Sequence, residues 1–393
     1  MDQKYDVIII GAGPAGTITA RRCAEHGLKV LVLEKRPEIG SPKRCAEGIG
    51  LSENLFKLGY TGKERFVNQT INASMIFAPN GHSIEIAAHP HGFIIERKVF
   101  DKFLAYDAAK SGAKIYTKAD VIDLIRTGGM ISGVKVIYNG EQKEISGRII
   151  VSAEGVESKI ARLAGLKTKN TLRTIEPGYQ YEMANIDLKD PHKVCIYLGS
   201  SIAPRGYIWI FPKGSHIANV GIGACVKDEK TAKYYLDRWI ETQPGIKKGS
   251  IIEENAGAIP IGGFLKSMTT DNFLAVGDAA HQVNPLHGGG LEESAYSAEI
   301  AAEVINEAIF TGDTSQKTLN KYNGLWYKKR GNTLSNVEKI VNILEKLTDS
   351  DMNMLADTIT PQDICDLLNG KIHKAIKIFL KYPKLATLIR HIK

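Results

Sequence analysis

No run of 18 apolar residues occurs in this 393-residue chain, so no segment reads as a membrane-spanning helix. The first ten residues, MDQKYDVIII, lack the basic and apolar regions of a signal peptide. Cysteine is sparse and odd in number: Cys23, Cys45, Cys195, Cys225 and Cys365, with no CxxC pair. That pattern speaks against a disulfide framework, a cysteine zinc site and a cysteine-ligated iron–sulfur cluster. The expected compartment is a reducing cytoplasm. There is no internal repeat and no linker-like stretch. Basic residues are dispersed, so the net charge of +8 favours anionic partners in general without making a case for nucleic acid.

Glycine, in contrast, is plentiful. The 38 glycines are about one residue in ten, against a usual ~7%. They recur at spaced positions, as tight turns and close backbone approach to a ligand require. Apolar residues make up 43% and charged residues 24%, which is the balance of a globular chain.

The first chemical signal is Gly11-x-Gly13-x-x-Gly16 between an apolar run (5–10) and a helical stretch ending at Gly27. A second apolar run (29–34) closes with Glu34, 18 residues past Gly16. The first glycine permits the turn, the second admits a pyrophosphate to the backbone, and the third allows close helix–strand packing. The helix start turns its positive end to the phosphates, and Glu34 is placed to accept from a ribose. This is a dinucleotide site, and alone it does not separate FAD from NAD(P).

A later motif decides for FAD. Gly277-Asp278-Ala279-Ala280-His281 follows the apolar run 273–276, and Pro285 and Gly288-Gly289-Gly290 lead into a helix expected over 291–310. An Asp at a strand end can accept from ribityl hydroxyls. The glycine-rich helix start offers N–H groups where negative charge develops on a reduced flavin. His281 reads chiefly as a supporting residue.

Between the motifs, Asn80-Gly81 and Asn139-Gly140 mark hairpins. Strands are expected over 70–78, 82–88, 113–125, 131–138, 142–152, 193–199, 206–211 and 216–224, with helices over 97–110 and 229–242. The fold class is therefore α/β (α+β overall). A Rossmann-like FAD-binding domain is expected from 1–70, 90–165 and 262–315. A mostly antiparallel-sheet substrate domain is expected from 71–89 and 166–261, and a helical region from 316–393. Tyr207, Trp209 and Phe211 alternate on one strand, so the three aromatics share one face and suit an apolar substrate.

The two FAD motifs resemble the flavoprotein group that includes p-hydroxybenzoate hydroxylase, flavin halogenases and geranylgeranyl reductases. That group carries a middle Asp-Gly; here Glu154-Gly155 stands in its place. Arg44-Cys45-Ala46-Glu47-Gly48 resembles the R-C-x-E-G loop of archaeal geranylgeranyl reductases. The run from Pro204 to Pro212 is similar to that family's P-x-x-Y-x-W-x-F-P signature. The resemblance implies reduction of the double bonds of geranylgeranyl chains on archaeal ether lipid precursors by reduced FAD. It implies cofactor contacts at Ala15, Glu34, Cys45, Ala46, Gly48, Arg97, Val121, Asp278, Gly290 and Leu291.

Cys45 follows Lys43 and Arg44 and is the candidate catalytic residue, in proton delivery or flavin tuning. The electron donor is expected to be ferredoxin or NAD(P)H; no second GxGxxG indicates a tightly held pyridine nucleotide. After Asp366 the tail has no acidic residue but carries Lys371, Lys374, Lys377, Lys381, Lys384, Arg390 and Lys393. Ile372, Ala375, Ile376, Phe379 and Leu380 can form an apolar face, so peripheral membrane contact is a second expectation beside packing on the helix's own domain. The rival readings are a flavin monooxygenase or halogenase, and a non-catalytic prenyl-lipid binding protein.

Overall fold

The computed structural model describes residues 2–49, 65–225 and 230–388. Along the chain, β1 (Lys4–Ile10), α1 (Pro14–Glu25) and β2 (Val30–Leu33) form the expected opening unit. Then come β3 (Gly48–Ile49), β4 (Val67–Phe77), β5 (Ser83–Ile95), α2 (Arg97–Lys110), β6 (Lys114–Tyr116), β7 (Ala119–Thr127), β8 (Met130–Tyr138) and β9 (Glu141–Ser152). The middle holds β10 (Glu176–Ala184), β11 (Lys193–Tyr197), β12 (Tyr207–Pro212), β13 (Ile217–Gly223), α3 (Ala232–Glu241) and β14 (Ser250–Ile259). The last part holds β15 (Thr269–Thr270), β16 (Phe273–Ala275), α4 (Leu291–Thr311), α5 (Asn332–Leu344), α6 (Asp349–Ala356), α7 (Pro361–Leu368) and α8 (Ile372–Leu380).

The strands form two sheets. The first runs β15-β16-β9-β1-β2-β6, with β8 on β9 and β7 on β8. Its centre, β16-β9-β1-β2-β6, is parallel. Val7–Ile10 and Val30–Leu33 are buried, as a strand covered on both faces requires. The second sheet runs β14-β10-β13-β12-β11-β4-β5-β3 and is antiparallel except between β11 and β4. One face packs Tyr181, Ile208, Val220 and Ile222 against Leu236 and Trp239 of α3. A separate cluster ties α5 to α8 through Ile340, Ile343, Leu367, Ile378 and Phe379. Thr348 and Thr360 close capping boxes at the starts of α6 and α7.

Several expectations need correction. The strand expected over 113–125 is two strands, parted where Lys118 takes φ +54°. No strand was expected over 250–259, yet β14 forms the sheet's edge; its Glu253-Glu254-Asn255 stretch masks the alternation. The boundaries at 70/71 and 89/90 fall inside β4 and β5, because the second sheet continues through Pro90 and Gly92. The helix expected from 229 begins at Ala232, and residue 229 lies outside the described residues. Residues 50–64 likewise lie outside them.

Candidate active site

A single cavity of about 1310 Å³ runs between the two sheets and under the C-terminal helices. At one end stands the dinucleotide turn. Gly11 adopts φ +103°, and a Cβ there would lie 2.3 Å from Ala153 O. Gly13 differs: an added Cβ would meet no protein atom within 4 Å. The turn thus leaves open space at the position where a pyrophosphate needs backbone approach, at the N-terminus of α1. Gly16 does not itself line the cavity, in keeping with the packing expected of the third glycine. Its role is packing, since a Cβ would sit 2.0 Å from Gly11 O.

Glu34 is held by two backbone donors, Ala12 N and Arg36 N, each at 2.9 Å. Val121 lines the cavity two residues beyond Ala119, whose N donates to Glu34 O. Ala15 also lines the cavity, and Gly277 at φ +64° packs against it. Asp278 follows; burial raises its carboxyl pKa, against the opposing charges of Arg97 and His281. Gly290 admits it closely: a Cβ there would lie 2.9 Å from Asp278 Oδ1. Gly288, Gly289, Gly290 and Leu291 line the cavity at the start of α4.

Arg97 reaches the cavity, but its guanidinium is not free for a phosphate alone. It makes a two-pronged bond to Asp101 at 2.8 and 2.9 Å. Burial opposes its charge, and Asp101 and Cys45 outweigh that and raise its pKa. Cys45, Ala46 and Gly48 line the cavity beside it. The Cys45 sulfur accepts from Glu47 N at 3.2 Å. Cys195 and Cys225 are pushed up to about 11 by burial, as inert packing residues are.

Tyr207, Trp209 and Phe211 line the cavity as one wall. Their neighbouring ring centroids are 5.9 and 6.3 Å apart. Phe211 packs on Gly48, where a Cβ would meet its ring at 2.7 Å. Trp209 Nε1 donates to Gln180 Oε1 at 2.9 Å, and Gln180 Nε2 donates to Cys45 O at 3.2 Å. Tyr207 OH donates to His287 O at 2.7 Å. Gln180 and His287 were not anticipated. His287 lines the cavity, and its Nδ1 accepts from Gly289 N at 3.1 Å. Its place one residue before the glycine cluster was the available signal.

Two other residues of the motifs are bonded within the protein. Glu154 caps the turn at Lys159–Leu163, accepting from Ile160 N, Ala161 N and Ser152 Oγ. Both His281 ring nitrogens face main-chain oxygens, of Gly263 at 3.0 Å and Thr168 at 3.2 Å.

Past the aromatic wall the cavity becomes an apolar arm. Ile71, Ile76, Ile84, Ile86, Val194 and Ile196 of the second sheet form one side. Leu344, Leu347, Met352, Leu355, Ile359 and Leu367 of the C-terminal helices form the other. The residues fit FAD: open backbone at Gly13, Glu34 at one end, Asp278 and the α4 start further along, and aromatic rings beyond.

Residues 174–259 match the family described as geranylgeranyl reductase catalytic domain, and 6–171 match FAD dependent oxidoreductase. A digeranylgeranylglycerophospholipid reductase of Methanocaldococcus jannaschii is 39% identical over 363 residues, 91% of each chain. The one from Methanocella arvoryzae is 36% identical over 383 residues, 96% of each. The chain belongs to the digeranylgeranylglycerophospholipid reductase family. A solved geranylgeranyl bacteriochlorophyll reductase-like protein of Thermoplasma acidophilum superimposes with a TM-score of 0.91 at 34% identity, covering all of both chains. A flavin-dependent brominase shares the fold at 16% identity and a TM-score of 0.76, covering 93% of this chain and 94% of its own. This family member is an FAD-dependent oxidoreductase, and no described helix is long and apolar enough to cross a membrane.

Proposed function

We propose that the protein saturates the C=C bonds of geranylgeranyl chains on a digeranylgeranylglycerophospholipid. The observation that carries this reading is the continuity of the cavity: the dinucleotide end, the aromatic wall and the apolar arm are one space. Bound FAD, once reduced, supplies a hydride. The chain's own residues do the rest. Glu34, Asp278 and the α4 start hold the cofactor. The apolar arm keeps the prenyl chain dry, and the wall of Tyr207, Trp209 and Phe211 orients it. Cys45 is the proposed proton-handling group.

The test is anaerobic. Dithionite-reduced protein is mixed with the lipid, and lipid mass and flavin spectrum are followed together. The expected result is a gain of two mass units per bond with flavin reoxidation. A reducible bound flavin that leaves the lipid untouched, or product formed only with oxygen, would overturn the assignment. Cys45→Ser should slow turnover while leaving flavin reduction intact. Comparing reduced ferredoxin with NAD(P)H as the sole reductant decides the donor.

Membrane contact, on this reading, is electrostatic. The expected apolar face of α8 is largely spent inside the protein: Ala375, Ile378 and Phe379 are buried in the helix cluster. Leu380, expected on that face, is exposed, and Ile378 takes its place. Lys371 and Lys374 lean on Asp366, while Lys377 and Lys381 face outward; Arg390 and Lys393 lie outside the described residues. Sedimentation with anionic vesicles should therefore vanish at high salt.

A further inference from the structure

A group of charges lies behind the Cys45 loop, and the site's chemistry does not use it. The Lys43 side chain is 0% exposed and lies 3.2 Å from Glu47 and 2.6 Å from Glu182. The Lys213 side chain is 4% exposed and lies 3.0 Å from Glu47, 2.7 Å from Glu96 and 2.8 Å from Glu182. Glu47, Glu96 and Glu182 come close enough together to resemble a metal site. The two ammonium groups already stand among them, so the positive charge is supplied by the chain.

The chain of contacts reaches from partly exposed Glu96 to Lys43 and Glu47 at the cavity, which suggests a proton path. The electrostatics argue otherwise. Burial works against charge on Lys213, yet Glu47, Glu182 and Glu96 outweigh it and raise its pKa. Burial likewise opposes the charges of Glu96 and Glu182, and Lys213 lowers both pKa values. Moving a proton from such an ammonium to such a carboxylate is steeply uphill. The cluster is a static lock.

Its hub is Glu47. Oε1 accepts from Arg97 N at 2.8 Å, and Oε2 accepts from Asn219 Nδ2 at 2.7 Å and from Lys43. Asn219 Nδ2 also lies 3.1 Å from Ala46 O. The Glu47 backbone sits at φ +72°, a conformation that a non-glycine residue holds only where its surroundings impose it. We propose that Glu47 is a positioning residue. Clamped by Lys43, Lys213, Asn219 and the start of α2, it fixes the left-handed turn that presents Cys45 and Ala46 to the cavity. The proposal rests on the reading that this edge of the loop faces bound FAD, and its first test is independent of that reading.

The experiment uses the full chain with Glu47→Gln, which keeps the shape and removes the charge, and Lys213→Met, which tests the lock from the end of β12. Limited trypsin digestion is mapped at the bond after Lys43, and iodoacetamide labelling is mapped at Cys45. Both variants should show at least tenfold faster cleavage there and faster labelling of Cys45, with cleavage elsewhere unchanged. The visible band of bound FAD should shift. A folded variant with wild-type protection at Lys43 and wild-type labelling at Cys45 overturns the proposal. If Glu47→Gln does not fold, Lys213→Met decides by the same criteria. A loosened loop with an unchanged flavin band upholds the lock and overturns the facing of Cys45 toward the flavin.

Discussion

Trp209 and Gly221 stand opposite each other across β12 and β13, and a Cβ at 221 would come within 2.4 Å of the indole. The aromatic wall exists because the neighbouring strand is bare there. Gly223 does the same opposite Tyr207, where the space is taken by the Glu176 carboxyl. Gly221→Ala should therefore displace Trp209 and cost about 1–3 kcal/mol, the usual range for overpacking. Urea unfolding measures the loss. FAD content should stay near wild type, since the dinucleotide turn belongs to the other sheet, while lipid reduction falls. Unchanged stability and turnover would show that the indole is not held by this slot.

The two glycines of the turn should separate binding from folding. Gly13 has φ −72° and free space beyond it, so Gly13→Ala is unstrained in the protein alone. Its apo stability should match or slightly exceed wild type. FAD affinity should fall at least tenfold, because the methyl occupies the space for backbone approach. Gly16→Ala should instead destabilise the apo protein, with Gly11 O 2.0 Å from the new Cβ. Melting curves and FAD titration of the two apo variants check the contrast.

Glu34 should carry cofactor affinity more than stability. Its two backbone bonds order the turn, and its remaining lone pairs are what a ribose would use. Hydrogen bonds to charged groups contribute about 1.5–3 kcal/mol. Glu34→Gln should thus weaken FAD by about tenfold to a hundredfold, read from flavin fluorescence quenching on the apo protein. Equal affinity would remove the ribose contact.

Where local rules suffice, the fold was legible. Asn139 at φ +53° and Gly140 at φ +80° form the turn that Asn-Gly announces, and the strand–glycine–helix start appears where the motif places it. The site was legible where its residues come in motifs. The burial of Lys43 and Glu47 was not legible, because a lysine and a glutamate four apart read as a solvated pair; only the packing of β10, β12 and β13 over the loop buries them. The apolar arm escaped because its helical half is scattered over short helices whose leucines look like ordinary core. The run through β5 was cut at His89-Pro90-His91-Gly92 because proline and glycine usually end a strand, whereas here the sheet's partners carry it on to Ile95.

Glu176 gives the pH prediction. Burial, with the charge of Glu345 and against that of Arg205, pushes its carboxyl up to about 8. In the unfolded chain a glutamate titrates near ~4.3. Between those values the folded protein holds a proton that the unfolded chain has released. Unfolding then releases a proton, so stability falls as pH rises through this window. The fall is at most about 1.4 kcal/mol per pH unit, and it levels off above the folded value, where both states are ionised. Below the unfolded value both states are protonated and the dependence vanishes. Glu176→Gln keeps a neutral side chain in the slot over Gly223 and should flatten this component. Urea midpoints at pH 5.5 and pH 8, compared between wild type and variant, isolate it, because every other titrating group is shared. Wild type should lose more stability than the variant on going to pH 8. Equal losses would mean that Glu176 is ionised in the folded protein and that Arg205 or water reaches it.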